Sequence, residues 1–103
     1  MAIKVHVPNE PLAELCRRWK VRELSLFGSV LRDDFRADSD VDVLVEFQPD
    51  ARWRYYELMD MRAEIERLIG RRVDLTEKRV VENGPNPIRR RHILAHRETL
   101  YVA

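Results

Sequence analysis

The 103 residues suffice for one domain with a buried core and are too few for two, because small domains bury only a modest share of their surface. A composition of 45% hydrophobic and 36% charged residues is that of a folded globular chain and excludes a disordered tail. A net charge of +1 argues against a protein that binds nucleic acid by neutralising many phosphates, and no apolar run approaches the roughly 20 residues of a membrane helix.

A single domain over residues 1–103 is therefore expected. The first residues lack the apolar stretch of a secretory signal, which predicts a cytoplasmic protein without membrane contact. Arginine supplies 16 of the 19 basic residues, and its planar fork suits phosphates and carboxylates. Cys16 is the single cysteine; it has no disulfide partner and no companion at metal-ligand spacing, and reads as a small core residue.

In chain order, Ile3, Val5 and Val7 alternate with polar residues and predict a short edge strand ended by Pro8. Asn9 or Glu10 then offers a cap for a helix over residues 11–19, with Leu12, Leu15, Cys16 and Trp19 on one face. Residues 21–27 read as a strand that stops at Gly28 and Ser29, followed by a short helical turn and a charged loop. Val41, Val43, Val45 and Phe47 give a second strand with one apolar face.

Asp50 is a plausible cap for a long helix to about Ile69, since Tyr55, Leu58, Met61, Ile65 and Leu68 recur at spacings of three and four, and Gly70 suits its end. Residues 72–75 predict a third strand. The run from Glu82 to Pro87, with Asn-Gly and two prolines, predicts a loop before a last helix that carries Ile88, Leu94, Ala95 and Tyr101. The expected fold class is α/β (α+β), a small mixed sheet with helices covering one face.

The chemistry concentrates on three acids and a turn. Asp40 and Asp42 stand at i and i+2, on one face of a strand, and pairing of the third strand beside them would bring Asp74 to the same site. Three clustered carboxylates suit magnesium, which takes hard oxygen ligands and commonly shares them with substrate phosphates. Two such ions would clamp both ends of a phosphoryl or nucleotidyl transfer. Gly28 lets the backbone approach an anion, Ser29 offers a hydroxyl, and Arg32 about one turn later adds a charged contact.

Gly28-Ser29, ten intervening residues and Asp40-x-Asp42 resemble the signature of the polymerase-β-type nucleotidyltransferases. The short length, and Gly70-Arg71-Arg72-Val73-Asp74-Leu75 after the long helix, is similar to the minimal nucleotidyltransferase (MNT) branch, many members of which are antitoxins paired with a HEPN-domain ribonuclease toxin. The resemblance implies the nucleotidyltransferase fold, with Gly28 and Ser29 holding the triphosphate. Asp40, Asp42 and Asp74 would bind two Mg2+ ions, and Asp74 would also assist deprotonation of the attacking hydroxyl. The implied reaction moves AMP from ATP to a hydroxyl of the toxin, within a hetero-oligomer that needs no direct nucleic-acid contact. The alternative is an antitoxin of weak or no activity that neutralises by binding alone. Asp33 stands where the wider superfamily often has glycine.

Other signals are local. Arg91 and His96 have the spacing of the HEPN Arg/His pair, but the strands contradict that all-helical fold. His6 and His92 read as surface groups, and Trp53, Tyr55 and Tyr56 divide evenly between core and interface.

Overall fold

The structure is a computed structural model that describes residues 5–31 and 39–103. Along the chain come α1 (Asn9–Arg18), β1 (Val21–Phe27), a 3-10 turn (Gly28–Leu31), β2 (Val41–Phe47), α2 (Tyr55–Ile69), β3 (Val73–Glu77), α3 (Lys78–Glu82), α4 (Pro87–Ala95) and β4 (Arg97–Val102). The strands form one mixed sheet in the order β3-β2-β1-β4. β1 runs antiparallel to both β2 and β4, while β2 and β3 are parallel and need α2 as their crossover.

Side-chain alternation divides the sheet into two faces. On one, Leu24, Leu26, Val41, Val43 and Val45 are buried beneath Leu12, Leu15 and Cys16 of α1 and Met61 and Ile65 of α2. This is the main core, and it follows from the apolar spacings of both helices. On the other face, Phe27 and Leu44 form a smaller cluster with Val81 of α3 and Ile93 of α4. That face is thus partly roofed, and its remainder carries the polar residues of β2 and β3. Among the described residues no helix is long and apolar enough to cross a membrane.

Several boundaries differ from the sequence expectation. Residues 5–7 are not a strand, although Val5 is buried and Val7 packs on the core; Ile3 lies outside the described residues. Pro8, not Asn9 or Glu10, precedes α1. Asp50 does not cap α2: its carboxylate takes a hydrogen bond from Lys20 at 3.2 Å, and that cation holds its pKa low. After a turn closed by the Ala51 N–H to the Gln48 carbonyl at 3.0 Å, the chain stays outside regular secondary structure through Trp53, whose indole N–H donates to the carbonyl of Trp19 at 3.0 Å and whose ring meets Trp19 edge-on at 4.9 Å. α2 then starts at Tyr55, where the Glu57 carboxylate accepts from the Arg54 N–H at 3.0 Å. Its end matches, with Gly70 in the left-handed conformation at φ 79°.

The largest correction concerns the last third. α3 replaces part of the expected connection, and the last helix stops at Ala95. Arg97–Val102 is a strand because β1 has a second edge to satisfy, and because Leu100 and Tyr101 pack against the main core when it pairs there.

Two measurements test this packing. Ile65 is fully buried, so Ile65→Ala should cost about 2–5 kcal/mol, read as a lower urea midpoint. Burial pushes the Cys16 thiol from its ordinary 9.0 up to about 12, with the Arg17 charge opposing. The native thiol should therefore resist iodoacetamide at pH 8 and react once urea unfolds the chain. Because the folded value lies above the unfolded one, stability linked to this thiol is full below pH 9 and falls as pH rises towards 12.

Candidate active site

Gly28 ends β1 with φ +73°, a left-handed conformation that L side chains adopt at a cost. A Cβ at this position would overlap Oδ2 of Asp42 and lie 3.2 Å from its Cγ. The glycine is required twice, by its backbone and by the carboxylate lying against it. The strand register explains the contact: Phe27 pairs with Asp42, so the residue after Phe27 leaves the sheet beside that acid.

Asp42 in turn pairs with Asp74 across the parallel β2–β3 ladder. Paired residues project from the same face, and adjacent strands are about 4.8 Å apart, so these two carboxylates are neighbours. Asp42 is half-buried and Asp74 exposed. Like charges directly opposite on adjacent strands repel. Carboxylate oxygens on paired residues of one face fit magnesium, which needs only one or two carboxylates besides phosphate oxygens.

Asp40 is placed differently. It lies just before β2, and its carboxylate pairs with Nε of Arg72 at 3.2 Å. The backbone beside it is pinned by a hydrogen bond from the Val41 N–H to the Arg72 carbonyl at 2.9 Å, and Arg71 donates to the carbonyl of Ser39 at 3.1 Å. β3 is anchored from α2, since the Glu66 carboxylate accepts from the Val73 N–H at 2.9 Å. Among the described residues no three His, Cys, Asp or Glu side chains converge closely enough to hold a metal ion. The structure thus brings together Gly28, Asp42 and Asp74, with Asp40 turned aside. The Ser29 side chain, Arg32 and Asp33 lie outside the described residues.

β4 adds a neighbour that sequence reasoning missed. Arg97 pairs with Phe27, which completes a row across the sheet of Arg97, Phe27, Asp42 and Asp74. Arg97 forms an ion pair with Glu23 at 3.0 Å, and the hydroxyl of buried Ser25 donates to Glu23 at 3.4 Å. No local signal marks Arg97, because its place depends on an unrecognised strand. A cavity of about 450 Å³ lies at the opposite ends of β2 and β3, lined by Glu46, Phe47, Trp53 and Glu77, away from the acids. Trp53 is structural, whereas Tyr55 and Tyr56 are exposed. His6, His92 and His96 are exposed, the last two stacked at 4.4 Å.

A family profile described as nucleotidyltransferase domain matches residues 9–99. The chain is 38% identical over 71 residues to the protein adenylyltransferase MntA of Thermococcus cleftensis, a match covering 69% of this chain and 70% of that protein. A solved structure described as a minimal nucleotidyltransferase superposes with a TM-score of 0.65 at 31% identity, covering 86% of this chain and 85% of the other. The same fold occurs in a complex of a tri-AMPylated Shewanella oneidensis HEPN toxin with its MNT antitoxin, at a TM-score of 0.61 and 15% identity, over 92% of this chain and 70% of that one.

The two left-handed glycines give a controlled test. Nothing lies within 4 Å of a Cβ at Gly70, so Gly70→Ala carries backbone strain alone, about 1–2 kcal/mol. Gly28→Ala must also displace the Asp42 carboxylate. It should lower the urea midpoint more than Gly70→Ala does.

Proposed function

The chain belongs to the nucleotidyltransferase-domain family, and on that premise we propose that it transfers AMP from Mg-ATP to a hydroxyl of a HEPN-type ribonuclease toxin and so neutralises it. The observation that carries this reading is the register that sets Asp42 beside Asp74 on one face with Gly28 against Asp42. The adenylyltransferase activity named for the Thermococcus relative supports the reaction, and the AMPylated toxin in the neighbouring complex supports the acceptor.

Gly28 admits the triphosphate close to the backbone, and the Ser29 hydroxyl and Arg32 hold it there. Asp42 and Asp74 would hold magnesium, joined by Asp40 once its carboxylate leaves Arg72, and the three acids together would serve two ions. Bound there, magnesium supplies charge neutralisation at the phosphates. Asp74, the more exposed acid, accepts the proton of the attacking hydroxyl. The hydroxyl oxygen bonds to the α-phosphorus, the bond from that phosphorus to the bridging oxygen breaks, and pyrophosphate leaves with the electron pair. Protein and toxin form a hetero-oligomer in which the face roofed by α3 and α4 meets the acceptor.

One observation favours a second reading, in which the protein neutralises by binding alone: Asp40 is engaged by Arg72 and three acids do not converge among the described residues. Mass spectrometry of the toxin after incubation with Mg-ATP separates the two. Whole AMP units should be added by the native protein and lost with Asp42→Asn. A toxin that is inhibited yet unmodified overturns covalent transfer.

A further inference from the structure

The charge of this chain is unevenly placed. Residues 83–97, which contain α4, hold four arginines, two histidines and no acid, whereas the rest of the chain has fifteen basic and eighteen acidic residues. The nearly neutral whole conceals one basic element on a net-negative body.

The packing of α4 decides which of these cations face outward. Ile93 is buried in the cluster with Phe27 and Leu44, and Leu94 packs beside it. Arg90 is spent on the carbonyl of Glu82 at 3.1 Å, and Arg97 on Glu23 at 3.0 Å. Ile88, Arg89, Arg91 and His92 stand exposed, Ile88 to 78%. Among the described residues Arg89 and Arg91 have no ion-pair partner. An exposed isoleucine among unpaired arginines has the composition of an interface, where arginine and buried apolar anchors are enriched.

Location gives this face its use. α4 leads into β4, whose first residue pairs with Phe27, which pairs with Asp42. Two strand spacings separate the Arg97 and Asp42 backbones by about 10 Å, so a protein seated on α4 borders the carboxylates. From this placement we infer that the outer face of α4 docks an acidic patch of the acceptor protein and presents its hydroxyl to Asp42 and Asp74. The inference rests on the reading that the acceptor is a protein. Arginine forks pair with carboxylates in two parallel bonds and so orient as well as attract. RNA suits the face less well. The nine residues of α4 span about 14 Å, and a polyanion running past either end meets the net-negative remainder.

Calorimetric titration of the toxin tests this with the native protein and with Arg89→Glu/Arg91→Glu, at low and at moderate salt, beside the milder Arg89→Gln/Arg91→Gln pair. Both side chains are exposed, so the thermal unfolding curve should not move. The glutamate pair should weaken toxin binding at least tenfold and flatten its salt dependence, with the glutamine pair in between. Unchanged toxin affinity in both variants overturns the docking face. So does loss of binding to a short single-stranded RNA while toxin affinity holds, which would reassign α4 to nucleic acid. A native protein that neither binds nor modifies the toxin overturns the functional reading itself, and the docking face with it.

Discussion

The register between β1 and β2 is the constraint on which both the core and the site depend. Val41, Val43 and Val45 are buried against α1 and α2, and Asp42 and Leu44 face the other way. A slip of one residue would send Asp42 into the main core and turn the valines to the opposite face. The same register places Gly28 against Asp42, and the parallel ladder transmits it to Asp74. The core and the proposed site are therefore two faces of a single strand, and neither moves without the other.

The acids differ in how firmly the backbone holds them. Asp42 and Asp74 sit inside paired strands, so their directions follow from the sheet. Asp40 precedes β2 and is directed by its side-chain pairing with Arg72, in which both groups are largely exposed. Exposed pairs of this kind are worth about 0.2–1 kcal/mol, a small barrier against a divalent cation. The third acid is the adjustable member of the set.

Much of this was legible from residues whose signal is local. The alternation of Val41, Val43 and Val45, the Gly-Ser turn after an apolar strand, and the spacing of Met61 and Ile65 each report their own element. What was illegible depended on distant partners. Arg97–Val102 continues a helical stretch without a breaker and becomes a strand because β1 offers a free edge. Asp50 has the chemistry of a cap, but Lys20 engages it and the Trp53–Trp19 bond holds the segment before Tyr55 outside the helix. The aromatic cluster divides for the same reason. Trp53 has a carbonyl to reach, and Tyr55 and Tyr56 fall on the outer side of α2.

β1 is an interior strand whose two neighbours arrive at very different times. β2 begins 14 positions after β1 ends, whereas the residue opposite Phe27 on the other side is Arg97, 70 positions later. Contacts of such separation are slow to form, because loop closure precedes any gain. Until β4 closes that side, the hairpin of β1 and β2 offers an unpaired ladder backed by Leu24, Leu26 and Phe27, a template for pairing with other chains. During synthesis the interval between making β1 and making β4 is the period of greatest exposure to aggregation, and the last strand ends it.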